Sequence, residues 1–143
     1  MARYRTTISS SMSAPEAFAY MAAFENVADW DPGVRSAKRL TEGSPRLGTR
    51  FDVEASFMGR GLPLRYEITR FEEDSTFVLT AEAPTLRSVD TVTVVAEGSG
   101  SRVTYDADLV LKGVFKVFDP SLRLAFRSIG NKARDGLRRV LNP

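Results

Sequence analysis

Residues 119–140 read D-P-S-L-R-L-A-F-R-S-I-G-N-K-A-R-D-G-L-R-R-V. The apolar residues Leu122, Phe126, Ile129, Ala133, Leu137 and Val140 step by 4, 3, 4, 4 and 3. That spacing draws one stripe along a helix of about five turns. Asp119 is placed to cap it, with Pro120 at the first helical position. Gly130 and Gly136 interrupt the helix, and each costs about 1 kcal/mol against Ala. Either another element approaches closely there, or tertiary packing overrides the penalty.

Ahead of this helix the hydrophobic period is two, not 3.6. Arg50 to Met58 sets Phe51, Val53, Ala55 and Phe57 against Asp52, Glu54 and Ser56. The Gly59-Arg60-Gly61 turn leads to Leu62–Phe71, where Leu64, Tyr66 and Ile68 oppose Arg65, Glu67 and Thr69. Thr76–Ala83, Arg87–Ala96 and Arg102–Leu111 continue the series, the last two joined by a Gly-Ser turn. Val34–Leu40 is a further strand. Short turns and one polar face per strand predict an antiparallel meander with one wet side.

At the other end of the chain, Tyr4–Ser9 alternates as a strand. Ser13-Ala14-Pro15-Glu16 is a capping box with proline in the first turn. It starts a helix from about Ala14 to Ala23, followed by a short helical turn over Asn26–Trp30 that Pro32 stops.

The order is thus strand, two short helices, six strands, long helix. A sheet with one apolar face needs a cover, and only the C-terminal helix is long enough to supply it. The expected fold is α+β: a curved antiparallel sheet of about seven strands wrapped around that helix. A strongly bent sheet cannot touch a straight helix everywhere, so the apolar residues between them line a cavity as readily as they fill a core.

Composition narrows the chemistry. The chain has 143 residues, 20 Lys+Arg, 18 Asp+Glu, no Cys and no His. One domain over residues 1–143 is expected, able to bury roughly 70 % of its unfolded surface. The two zeros exclude disulfides, thiol catalysis, thiolate or imidazole metal ligands and every Ser-His or Cys-His mechanism. Of the 20 basic residues 16 are Arg, but they form no stripe. The densest cluster, Arg134, Arg138 and Arg139, has the spacing of a solvated helix face, so no nucleic-acid partner is expected. No calcium-loop spacing and no phosphate-cradling glycine motif occurs, so neither metal nor cofactor is expected. The first 30 residues hold no signal-like apolar run. No stretch approaches the roughly 18 apolar residues that span a bilayer. The expectation is a cytoplasmic protein without stable membrane insertion.

Taken in order, a series of segments resembles a known family. They are Ser13-Ala14-Pro15-Glu16 with Phe18, Phe24-Glu25-Asn26, and Trp30-Asp31-Pro32-Gly33-Val34. Gly48-Thr49-Arg50-Phe51, Tyr66-Glu67-Ile68-Thr69-Arg70-Phe71 and Arg102-Val103-Thr104-Tyr105 follow, with Leu111-Lys112-Gly113 closing the series. The chain resembles the START/Bet v 1-like helix-grip (SRPBCC) superfamily, in its bacterial polyketide cyclase/dehydrase branch. The resemblance covers nearly the whole chain. It implies a hydrophobic pocket between sheet and long helix. Members bind lipids, sterols, polyketides, hormones or other apolar molecules; some are cyclases or hydrolases, and others carry ligands or act as co-chaperones. The fold does not fix the reaction.

The candidate ligand-binding residues are Trp30, Phe57, Tyr66, Phe77, Leu79, Val89, Thr91, Tyr105, Phe118, Leu122, Phe126 and Ile129. Trp30, the only tryptophan, is either a plug beneath the short helices or a gate at the pocket mouth. Tyr66 and Tyr105 are the polar exceptions on apolar faces, and their hydroxyls either find core partners or orient a ligand oxygen. Thr91 and Thr93 are weaker candidates for the same role. Phe118 reaches a flat ligand together with Phe126 if the chain before Asp119 folds back over the pocket. Arg87 either clamps a ligand carboxylate or pairs with Glu82 or Asp90. Asp52, Glu54, Glu67, Glu82, Asp106 and Asp108 share the wet face, where Arg65 and Arg102 can join them in cross-strand pairs.

Three functions fit. The first is a carrier or binder of an apolar small molecule. The second is a cyclase/dehydratase-type enzyme that positions a reactive chain. The third is a protein-interaction module, which a large exposed apolar patch would favour. On this phasing the apolar stripes contain no carboxylate, which weighs against the enzyme. Oligomeric state is not legible.

Overall fold

A computed structural model describes residues 2–57 and 59–143. The chain runs through β1 (Ala2–Ser10), α1 (Ala14–Ala22), a 3₁₀ turn (Phe24–Asn26), α2 (Val27–Trp30) and β2 (Val34–Arg39). It continues through β3 (Arg50–Phe57), β4 (Arg60–Glu72), β5 (Thr76–Glu82), β6 (Leu86–Glu97) and β7 (Gly100–Leu111). A second 3₁₀ turn (Gly113–Phe118) leads into α3 (Asp119–Val140). The strands form one antiparallel sheet in the order β1-β7-β6-β5-β4-β3-β2. It curls into a half-barrel around α3, the helix-grip arrangement.

Local chemistry explains the elements. Ser13 Oγ accepts from the Glu16 backbone N–H at 3.3 Å, the N-cap bond that starts α1, and the Glu16 carboxylate reaches back to accept the Ser13 hydroxyl at 3.1 Å. The alternation of β3, β4, β5 and β7 places Phe51, Val53, Leu64, Ile68, Phe77, Leu79 and Val103 in the buried core. The outer face carries cross-strand ion pairs. Asp52 meets Arg65 at 2.8 Å as expected, whereas Glu67 pairs with Arg50 at 3.0 Å and Arg102 finds Glu97, outside the expected acidic set, at 3.7 Å. These pairs are solvent-exposed, so each contributes at most about 1 kcal/mol. They matter more for keeping the register than for stability.

Two local expectations are corrected. Asp119 does not cap α3: it is the first helical residue, already at φ −54°, because the chain enters from the 3₁₀ turn with helical geometry. Its carboxylate instead pairs with Arg123 one turn on, at 3.1 Å. Likewise, β4 begins at Arg60, so Arg60 and Gly61 belong to the strand and not to the turn.

Gly130 and Gly136 mark close approaches. A Cβ on Gly136 would lie 1.9 Å from the carbonyl oxygen of Trp30, and one on Gly130 would lie 2.3 Å from the Tyr4 ring. The two glycines let α3 settle against α2 and β1.

Candidate functional site

Between the concave face of the sheet and α3 lies a cavity of about 130 Å³. An engineered apolar cavity of about 150 Å³ takes up benzene, so the space suits a compact apolar group. Most of its wall is hydrocarbon. Val53 and Ala55 of β3, Leu62 and Leu64 of β4, and Ala107 and Leu109 of β7 face Leu122, Phe126, Ile129 and Ala133 of α3. No residue of β5 lines it; Phe77 of that strand packs edge-on against Phe18 of α1 at 5.5 Å.

One region of the wall is polar and internally bonded. Tyr66 donates its hydroxyl hydrogen to Ser88 Oγ at 3.1 Å, and Ser88 donates to Asp90 Oδ1 at 3.1 Å. From β7, Tyr105 donates to Asp90 Oδ2 at 2.5 Å. All four residues are buried and line the cavity. Each hydroxyl spends its only hydrogen within the chain, and the chain ends on the Asp90 carboxylate. Asp31 adds a second carboxyl to the same cavity, and its Oδ1 accepts the Gly33 backbone N–H at 2.8 Å. Tyr4 and Thr6 of β1 and Arg134 of α3 complete the polar lining, with Arg134 ion-paired to Asp135 at 3.2 Å.

Burial sets the electrostatics. It pushes Asp90 up to about 6, against the opposing hydrogen bonds from Tyr105 and Ser88, and Asp31 and Asp108 raise it further as like charges. Burial also raises Asp31, while the Gly33 N–H holds it back. The Tyr66 and Tyr105 phenols lie well above their ordinary range, first by burial and then by the Asp90 charge, so both stay protonated donors. Near neutral pH the region thus offers a carboxyl poised between its two states. Among the described residues no three acidic side chains come together as a cation site.

The structure brings five of the twelve sequence candidates to the cavity: Tyr66, Tyr105, Leu122, Phe126 and Ile129. Trp30 is buried behind the wall, edge-on to Tyr105 at 5.3 Å, in the position of a plug. Phe77 and Leu79 are fully buried in the core and do not line the cavity, Phe77 packing against Phe18 of α1. Val89 and Thr91, with Thr93, lie on the opposite face of β6 from Ser88, Asp90 and Val92. Phe118 is exposed and lines no part of the cavity, because residues 113–118 wind into a turn that runs directly into α3 instead of folding back. Phe57 ends β3, and its side chain lies outside the described residues. Arg87 is exposed and pairs with Glu82 at 2.8 Å.

Sequence reasoning missed Asp90, Ser88 and Asp31. It phased β6 by Val89 and the threonines, and so put Asp90 outside. The correct phase was available from the hairpin. Four residues, 83–86, separate Glu82 from its partner Arg87. Two charges opposite each other at a strand end mark the outer face, which turns Ser88 and Asp90 inward. The apolar faces therefore do contain a carboxylate, and the cavity contains two.

Comparison with known proteins agrees with this architecture. A START superfamily protein from Mycobacterium smegmatis superposes with a TM-score of 0.79 at 13 % identity, covering 99 % of this chain and 97 % of that one. The ginseng major latex-like protein 151 from Panax ginseng gives 0.71 at 13 % identity, covering 99 % and 98 %. The protein TTHA0849 from Thermus thermophilus gives 0.73 at 17 %, covering 96 % and 94 %. No curated protein matches the sequence. The model of the family described as polyketide cyclase / dehydrase and lipid transport matches residues 1–142. With that match across the chain and a sheet gripping its last helix, this protein belongs to the polyketide cyclase / dehydrase and lipid transport family, within the START/Bet v 1-like helix-grip superfamily.

Proposed function

We propose that this protein binds a hydrophobic small molecule of lipid, polyketide or aromatic type in the cavity between the sheet and α3. The molecule's apolar body lies against α3, and one polar group meets Asp90. The observation that carries this reading is a largely hydrocarbon-walled cavity into which one buried hydrogen-bonded chain, Tyr66–Ser88–Asp90–Tyr105, opens. Such a site rewards apolar burial at about 25 cal/mol per Å² and fixes orientation at one point. Because both tyrosines and Ser88 already donate within the chain, the preferred ligand group is a hydroxyl or phenol that donates to Asp90.

Native mass spectrometry of the protein from its own host, followed by organic extraction, tests the occupant. 2-Naphthol, an apolar body with one donor, tests the site by calorimetry. Ile129→Trp fills the cavity and should abolish 2-naphthol binding in a variant that still folds; undiminished binding sinks the assignment. Tyr66→Phe should leave folding intact and weaken 2-naphthol about 5-fold, because Ser88 loses the bond from Tyr66 and orients the Asp90 carboxylate less firmly.

One observation favours a second reading, an enzyme of the cyclase/dehydratase type. Asp90 is a buried carboxyl inside an apolar cavity, with its pKa raised to about 6, as a group that exchanges protons near neutral pH requires. Turnover of an extracted ligand by the wild type, lost in Asp90→Asn with binding retained, distinguishes this reading from simple carriage.

A further inference from the structure

Residues 113–118, Gly-Val-Phe-Lys-Val-Phe, form a 3₁₀ turn in which no residue is buried. A 3₁₀ turn has three residues per turn, so side chains at i and i+3 eclipse. Val114 and Val117 therefore fall on one face of the turn, and Phe115 and Phe118 on another. Val114 is 78 % exposed and Val117 72 %, while Phe115 and Phe118 are each nearly half exposed. Leu124, in the following turns of α3, is 78 % exposed. The turn packs mainly on β7 and α3 and contacts little else. Five large apolar side chains within eleven residues are thus held outward by ordered backbone.

Their surroundings are cationic. Lys112, Lys116, Arg123 and Arg127 fall in this stretch against one acid, Asp119, a net charge of +3 (four cations minus one acid). Glu82 of β5 pairs with Lys112 at 2.5 Å and Asp119 with Arg123 at 3.1 Å, so Lys116 and Arg127 supply most of the positive charge that faces outward. Protein interfaces are depleted in Lys, and Val is scarce among their energetic anchors. Valine and phenylalanine faces flanked by lysine and arginine instead match the two components of an anionic bilayer surface, acyl chains below and phosphates above. The same turns of α3 carry Leu122 and Phe126 into the cavity wall, so a surface docked here lies beside the cavity.

We propose that the Val114–Leu124 segment docks this protein, peripherally and reversibly, onto an anionic lipid surface. No helix among the described residues is long and apolar enough to cross a membrane, so the contact is interfacial. This inference stands independently of which ligand the cavity takes.

Flotation of the full chain with phosphatidylcholine vesicles, with and without phosphatidylglycerol, tests it. The expected result is binding to the mixed vesicles that weakens with salt. The double variant Val114→Asp, Val117→Asp should lose binding with an unchanged melting temperature, since both positions are exposed. Lys116→Glu reverses one charge and should weaken binding to the mixed vesicles roughly 20-fold. Absence of flotation on either vesicle overturns the proposal, as does binding indifferent to the double variant. Sedimentation separates the remaining case. A wild-type dimer that the double variant converts to monomer, without vesicle binding, makes the patch a contact between copies and also overturns it.

Discussion

Replacing Gly136 with alanine should destabilise the protein by about 3 kcal/mol, at the upper end of what overpacking costs, and lower the melting temperature by roughly 10 °C. Helix propensity alone predicts the opposite, a gain of about 1 kcal/mol for Gly→Ala inside a helix, so the sign itself decides. The new Cβ would sit 1.9 Å from the Trp30 carbonyl oxygen and 2.7 Å from its carbonyl carbon. Those atoms are backbone at the end of α2, tied in by the Asp31 N–H bond to the Val27 carbonyl at 2.9 Å. Relief requires α3 to lift from α2, which uncovers Trp30 and Leu137, both buried. Gly130→Ala is the internal comparison. Its Cβ meets the Tyr4 ring, a side chain that can swing aside by giving up its 2.9 Å bond to Asn131. The expected loss there is only about 1 kcal/mol. Thermal melts of both variants beside Ser128→Ala check the ranking; equal effects at 130 and 136 would remove the backbone-contact argument.

The second large effect is a pH dependence carried by Asp90. Its carboxyl is raised to about 6 in the fold, against about 3.9 in an unfolded chain. Below pH 4 both states hold the proton and Asp90 contributes no slope. Between about 4 and 6 the unfolded chain releases its proton first, so the native state binds more protons and stability falls as pH rises. Above 6 the loss is complete, at about 3 kcal/mol for two units. Asp90→Asn keeps the shape and removes the charge. The variant should therefore gain on the wild type by up to about 3 kcal/mol between pH 4 and 6.5. Asp31, Asp108, Tyr66 and Tyr105 face the same group, and taking the difference between the two proteins isolates Asp90 from carboxylates of opposite sign such as Asp52. Urea titrations across that range measure it, and a difference flat with pH would show that Asp90 is ionised in both states.

The architecture was legible because several signals repeat. The Ser13–Glu16 box, the period-two runs of β3, β4, β5 and β7, and the 4-3-4-4-3 stripe of α3 each depend on a local pattern that tertiary packing reinforces. The site was legible only in part. Tyr66, Tyr105, Leu122, Phe126 and Ile129 reach the cavity because their strands and helix have one unambiguous apolar phase. β6 does not, since valines stand on both phases, at Val92 and Val94 and at Val89 and Val95. With period two, choosing the wrong valines moves the whole strand to the other side, and with it went Asp90. Asp119 misled for another reason: an Asp-Pro pair reads the same whether the chain arrives extended or already helical.

The edge strand β1 sits beside β7, and the pairing joins residues as far apart in the chain as Ala2 and Leu109, 107 positions. Consecutive hairpins from β2 to β7 close over short loops, whereas β1 has no partner until β7 exists. Made first on the ribosome, β1 is placed last. Through most of synthesis Ile8 stays open to water and to other chains. Until β1 docks, α3 also lacks the strand that carries Tyr4, against which Gly130 settles. Yield in the cell is thus expected to depend on how fast β7 follows its own hairpin partner, a kinetic demand that the finished fold does not reveal.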